Sequence, residues 1–472
     1  MQNRRALTVG MVTLVTFVAF EAVAVTAAMP TVARALDGVP LYGFAFGGPL
    51  ATSLIAMVLA GSWSDRRGPA QPTAIGVALF CLGLLIAGLA PDMWTFVAGR
   101  LVQGFGGGLV TVALYVVVGR AYPNEQHPRV FSALAAAWVL PAVVGPAVAG
   151  LIVEHIGWRW VFLLVVIASV PAMLLIWPQV RTVTVPPAER TVNRRVPWAV
   201  GAALSLGLLY FGGQHVDLAA LVYLAAGLVG VVVCAPRLLP RGTLAARRGL
   251  PSVVLLRGLA GAAFVQTDVF IPLMLTRERG LSPSLAGLTL TAGALFWSAG
   301  SWVQARQAQR LTPATRLRIG LAAIAVGVLS AVALVVTTAP VAVVLVGWAV
   351  GGFGMGLAYP TMSALVLSLS KPGTQGANSS ALQVGDALLT TTVLAVGGSL
   401  FAALVDGHGP AAYLAAYGIA LVPALLGVWV AGRTAQPKVG EEEGEDTHRI
   451  PEEVGGVERH AEGQPRENAV RG

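Results

Sequence analysis

Apolar runs of about 20 residues, the length that spans a ~30 Å hydrocarbon core, recur from one end of this chain to the other with short polar stretches between them. Fourteen can be laid out, at 8 to 29, 41 to 61, 72 to 90, 93 to 119, 130 to 152, 159 to 178, 197 to 214, 218 to 236, 251 to 275, 284 to 304, 315 to 337, 340 to 368, 377 to 404 and 411 to 432. A soluble fold could not hide them. The chain is 56% hydrophobic and 11% charged, against about 45–50% and about 25% in soluble domains, which leaves too few polar residues to cover a water-facing surface. The expected fold class is therefore an all-α polytopic membrane protein with fourteen transmembrane helices.

Arg4 and Arg5 precede the first run, as in a secretory signal. The run is longer than a signal's apolar core of about 7–15 residues, contains Glu21, and is followed by more spanning segments, so it reads as a retained helix. The net charge of +9 does not point to nucleic acid. Most of the arginines flank the even-numbered gaps and the two termini, among them Arg66, Arg67, Arg120, Arg129, Arg181, Arg237, Arg306 and Arg433. The opposite side carries Arg34, Arg159, Arg277 and Arg279. By the positive-inside rule both termini are expected in the cytoplasm of a multi-pass plasma-membrane protein.

Cys81 and Cys234 fall inside spanning segments and read as packing residues, supporting neither a disulfide framework nor a zinc site. Beyond Pro437 acidic residues such as Glu441, Glu442, Glu443, Glu445 and Asp446 dominate and large apolar ones are nearly absent, so residues 434–472 are expected to form a disordered acidic cytoplasmic tail.

Two sequence echoes suggest a duplication. Gly61-Ser62-Trp63 reappears as Gly300-Ser301-Trp302, and Gly104-Phe105-Gly106-Gly107-Gly108-Leu109 as Gly352-Phe353-Gly354-Met355-Gly356-Leu357, at separations of 239 and 248 positions. Parallel repeats with the substrate site between them are a transporter architecture. The expected organisation is a six-helix bundle at 1–180, linkers and an inserted helix pair at 181–250, and a second six-helix bundle at 251–433. The inserted pair reads as structural filler.

Of the 22 acidic residues, three lie well inside apolar segments: Glu21, Asp268 and Asp386. A charge at the bilayer centre costs at least ~2.5–3.5 kcal/mol on insertion scales, so such a side chain turns toward a bundle interior or an aqueous cavity. A carboxylate that can hold either a proton or a cationic substrate is the minimum device for exchanging one for the other. The alternative for each is a structural hydrogen bond to a neighbouring helix, worth about 0.6 kcal/mol on average. Gln103 stands one turn from Arg100 and Gln383 one turn from Asp386, giving two polar patches. Arg257 precedes Asp268 by three turns, on the same helix face, and is expected to snorkel to the cytoplasmic interface. Gly145-Pro146 and Tyr359-Pro360 are expected to bend their helices.

These residues resemble known patterns of the major facilitator superfamily. Gly61-Ser62-Trp63-Ser64-Asp65-Arg66-Arg67-Gly68 is similar to the loop signature after its second helix, with Pro69 and Ala70 where further basic residues are usual. The resemblance implies a cytoplasmic charge-relay and gating loop containing Gly61, Asp65, Arg66 and Gly68. Arg100-Leu101-Val102-Gln103-Gly104 looks like the helix-four signature, whose arginine is associated with proton coupling. Gly145-Pro146-Ala147-Val148-Ala149-Gly150 is similar to the helix-five motif of antiporters, with Ala136 where an upstream glycine is typical. Phe20-Glu21 through Ala28-Met29-Pro30 resembles the first-helix signature of fourteen-helix drug:proton antiporters, with Val23 and Thr26 in place of its Thr and Asn.

The resemblance implies a proton-coupled exporter of lipophilic small molecules, cations included, working by alternating access. Proton coupling and substrate contact would fall to Glu21, Arg100, Gln103, Asp268, Gln383 and Asp386. Lipid or hydrophobic-metabolite export, or a receptor or scaffold role, stays open. An enzyme is not expected: the six histidines are scattered without ligand spacing, and there is no Gly-Lys-Ser/Thr phosphate loop to drive an ATP pump. No cofactor, metal or nucleic acid is implied; the expected partners are the substrate, protons and the bilayer, with the protein a monomer.

Overall fold

The computed structural model describes residues 4–38, 41–183, 194–212, 218–281, 283–307, 310–371, 373–405 and 409–434. Among them the chain forms helices and no strand. The α-helices are α1 (Arg4–Ala35), α2 (Tyr42–Arg67), α3 (Ala70–Gly88), α4 (Met93–Ala121), α5 (His127–Ala136), α6 (Val139–His155), α7 (Arg159–Val180), α8 (Val196–Gly212), α9 (Leu218–Leu238), α10 (Leu250–Arg279), α11 (Pro283–Gln307), α12 (Pro313–Val336), α13 (Ala342–Ser368), α14 (Gln375–Val405) and α15 (Gly409–Val430). The expected acidic tail lies outside the described residues from 435 onward.

Among the described residues, twelve spans are long and apolar enough to cross a membrane. The other two expected segments fall short of that standard: α8 is a shorter apolar helix, and Thr289, Thr291, Ser298 and Ser301 dilute the apolar character of α11. The expected segment 130 to 152 is interrupted between α5 and α6, at Ala137 and Trp138. Pro141 has no N–H to give to the Ala137 carbonyl, and its ring crowds that turn. The break thus comes before Gly145-Pro146, where a bend was expected, while Pro360 lies inside an uninterrupted α13.

Local chemistry sets the helix ends. The Asp92 carboxylate caps α4 by accepting from the Thr95 amide at 2.9 Å, which holds its carboxyl below the usual range, and Thr312 caps α12 from the Thr315 amide at 3.2 Å. Gly280, at φ 63°, closes α10 with its N–H on the Leu275 carbonyl.

Glycine sets how closely the helices approach. A Cβ on Gly104 or Gly108 would sit 2.3 Å from the backbone of α2, at Pro49 and Ser53, and one on Gly106 2.3 Å from Phe80 of α3. In the second half, Gly352 and Gly356 meet α11 at Gly293 and Trp297, and Gly354 meets α12 at Gly320. So α2, α3 and α4 correspond to α11, α12 and α13, and the Gly-Phe-Gly echo is a packing equivalence. The Gly-Ser-Trp echo is not. With Pro49 opposite Gly293 and Ser53 opposite Trp297, the α2 to α11 register is five residues away from the one that pairs Gly61 with Gly300. Gly61 packs against Gly376 and Ser380 of α14, whereas Gly300 packs against Phe353 of α13.

The pair α8–α9 packs on itself through Gly212, Gly227 and Ser205. It also lies along helices of both halves, with α8 against α2 and α14, and α9 against α14. The stretch after α9 is tied down: Gly249 donates to the Arg433 carbonyl at 2.8 Å.

Candidate functional site

Glu21 lies in the middle of α1, buried, and Arg100 reaches it from α4, also buried. One Nη of Arg100 donates to Glu21 Oε1 and to Gln103 Oε1, and its Nε donates to the Ala45 carbonyl of α2 at 3.2 Å. The sequence-derived pair Arg100 and Gln103 is thus one network with Glu21. Breaking a buried pair of this kind leaves a stranded charge, which typically costs 3–5 kcal/mol in soluble proteins.

Arg257 does not snorkel. It is buried in α10, and its Nε donates to Asp386 Oδ2 of α14 at 3.0 Å. The guanidinium also donates to Ser363 Oγ at 3.2 Å and lies 3.5 Å from the centre of the Tyr359 ring, while Tyr359 Oη donates to Asp386 at 3.1 Å. Gln383 Oε1 is at the outer edge of this group, 3.5 Å from Arg257. The reason is partnership: a guanidinium offered a carboxylate and a ring face inside the bundle need not stretch to the interface.

Asp268 therefore does not share Arg257. Its Oδ1 accepts from the Trp348 indole N–H of α13 at 3.0 Å, and no arginine, lysine or histidine forms an ion pair with it among the described residues. Trp348 stacks on Phe264 at 4.5 Å, Phe264 meets Trp297 edge-on at 5.3 Å, and Trp297 meets Tyr359 at 5.3 Å. This aromatic series links the Asp268 and Asp386 sites. A tryptophan in an apolar helix reads as packing, so sequence reasoning missed Trp348. The signal available was its offset of 248 positions from Arg100.

The two halves meet at the end that carries Arg66, Arg67, Arg120 and Arg129. Asp65 is buried there and accepts the amides of Gly376 and Ala377, at the start of α14, at 2.7 Å each, a carboxylate on a helix N-terminus. Arg120 of α4 stands 3.8 Å from it, a cation the loop pattern did not single out. Ser132 of α5 donates to the Ser301 carbonyl of α11 at 2.7 Å. Gly68 ends α2 at φ 81°, a conformation costly for other residues. Arg66 occupies the last turn of α2. A Cβ on Gly145 would lie 3.3 Å from Val23 of α1, two residues from Glu21, whereas one on Gly150 would meet nothing within 4 Å. Pro146 lies between them in α6.

The sequence profile of the major facilitator superfamily matches residues 9–390 and also 269–461, and the chain belongs to that superfamily. Its relatives include a probable multidrug-efflux transporter of Mycobacterium tuberculosis, 26% identical over 381 residues, covering 75% of this chain and 79% of the relative. The methylenomycin A resistance protein of Streptomyces coelicolor is 26% identical over 390 residues, covering 79% and 80%. With the acurin A biosynthesis cluster transporter of Aspergillus aculeatus, identity is 30% over 199 residues, 41% of this chain and 36% of the fungal protein. The match to a transporter of Phoma spans 49% of that protein. Among solved structures, a human organic anion transporter superposes with a TM-score of 0.66 at 15% identity, covering 90% of this chain and 100% of that one. A bacterial homologue of the iron transporter ferroportin does so at 0.66 and 14%, covering 92% and 99%. Fold and relatives alike are those of membrane transporters.

Proposed function

We propose that the protein is a proton-coupled secondary transporter of the plasma membrane that exports lipophilic small molecules, aromatic cations among them, by alternating access. All fourteen apolar segments would cross the bilayer, with α5 and α6 as one interrupted span, α8 and α11 included, and both termini in the cytoplasm. The two six-helix bundles would be residues 1–180 and 251–433. The Asp65 contact with α14 would then hold the cytoplasmic side shut.

One observation carries the reading: among the described residues three carboxylates lie well inside apolar helices, two held by arginines and the third by an indole without a cation. Within the bilayer each arginine balances its acid, which leaves Asp268 as the carboxylate to be balanced by whatever enters the site, a proton or a cationic compound. Mutually exclusive occupancy is what coupled exchange requires. The names of the mycobacterial and streptomycete relatives favour export of toxic compounds.

Inside-out vesicles with an acidic lumen, carrying native protein, Glu21→Gln or Asp268→Asn, are the test. Luminal alkalinisation is expected on adding a transported lipophilic compound to native vesicles, with loss in Asp268→Asn. No compound-dependent proton movement from a broad panel, with folded protein present, would overturn the reading.

A further inference from the structure

The two halves solve one geometric problem with different residues. Gly99 packs against Ala87 and Gly83 of α3. Gly347, 248 positions on, packs against Ser330 of α12. Gly104 and Gly352 meet the α2 and α11 backbones in the same way. The residue directly after the first of these anchors is Arg100 in the first half and Trp348 in the second. Their partners correspond too, since Arg100 reaches Glu21 near the middle of α1 and Trp348 reaches Asp268 near the middle of α10. At this position the first half has a guanidinium on a carboxylate and the second an indole N–H on a carboxylate, with no cation paired to it among the described residues.

We infer that Trp348 is the residue that makes this transporter selective for organic cations: by standing in the arginine position without a charge, it leaves Asp268 to pair with the cationic group of an aromatic substrate. The inference rests on the transport reading above.

Three further observations support it. Glu21 is 4% exposed, whereas Asp268 is only partly buried. Phe264 lies one turn before Asp268 on the same helix face, so the stacked pair Phe264 and Trp348 forms an aromatic wall beside the carboxylate, suited to a flat or ring-bearing cation. The buried Trp297 indole N–H, on a ring packed edge-on against Phe264, has no hydrogen-bond acceptor among the described residues and can donate to a polar atom of the substrate. The indole in turn orients Asp268. Its single N–H fixes one carboxylate oxygen and leaves Oδ2 for the ligand.

The experiment compares a matched pair in proteoliposomes: a quaternary aromatic cation and its neutral isostere of the same shape. Equilibrium binding of both compounds is measured for native protein, W348R, W348F and D268N, and uptake for native protein. Asp268→Asn keeps an oxygen for the indole and removes only the charge, so it reports even if the arginine variant does not fold. Expected is a fall of about tenfold or more in the ratio of cation to neutral affinity in D268N and W348R, because the first removes the pairing charge and the second supplies a resident cation. W348F should keep more of the cation preference than W348R. An unchanged ratio of cation to neutral affinity in folded D268N, or a native ratio in folded W348R, would overturn the inference while leaving transport intact. Failure of native protein to move either compound would overturn the transport reading beneath it.

Discussion

Tyr115 Oη and Ser363 Oγ lie 3.1 Å apart across the seam between the two halves, and these two residues are repeat counterparts separated by 248 positions. Contact between equivalent positions is what two helices flanking a pseudo-two-fold axis make. The hydroxyl of Ser363 also accepts from Arg257, so the seam is wired to the Asp386 pair. Tyr115→Phe should weaken the seam modestly, by about 0.6 kcal/mol on the average for interhelical hydrogen bonds in membranes. A double-mutant cycle with Ser363→Ala, read by thermal unfolding in detergent, checks this, and a coupling near zero would refute it.

Asp65 is the stronger clasp. It accepts two amides at the start of α14, and charge-assisted hydrogen bonds contribute about 1.5–3 kcal/mol each in soluble proteins. Asp65→Asn keeps the shape but loses the charge that favours a helix N-terminus. Spin labels at the exposed positions Gln71 and Ser368, read by electron–electron distance measurements, should show a longer-distance population growing in the variant. An unchanged distribution would mean that Asp65 does not hold the halves together.

Removing Arg257 alone strands Asp386. Arg257→Gln should therefore lower stability by about 3–5 kcal/mol, and the double variant Arg257→Gln with Asp386→Asn should recover most of that loss. Thermal unfolding of the three proteins in one detergent is sufficient. Additive losses would show that the pair is not the source of the effect.

The glycines separate sharply by position. Gly352→Ala would drive a Cβ within 2.1 Å of the Gly293 carbonyl and should cost roughly 1–3 kcal/mol through overpacking. Gly150→Ala, with nothing within 4 Å, should be neutral or stabilising by up to about 1 kcal/mol because alanine is the better helix former. Reversed effects would mean that the helix packing around α13 is wrong.

Much of the helical layout was legible because a segment surrounded by lipid must bond its own backbone and be apolar for about 20 residues, both written locally in the chain. Less legible was whatever depends on distant partners. Arg257 looked like a snorkelling residue because its carboxylate is 129 positions away, and Pro141 was passed over for the more conspicuous Gly145-Pro146. The Gly-Ser-Trp echo misled because a tripeptide carries no register, whereas three glycines spaced to touch two neighbouring helices carry a great deal. The same register placed Trp348 over Arg100, a relation hidden by reading each half separately.

Proton release on binding is the most direct measurement. Purified native protein in weakly buffered detergent solution is mixed with a transported aromatic cation, and the pH change is followed alongside the amount bound, with Asp268→Asn as comparison. Protons released in proportion to compound bound, and absent in Asp268→Asn, are the predicted result. Binding of the cation without proton release by the native protein, at every pH tested between weakly acidic and weakly basic, would contradict exchange at this carboxylate.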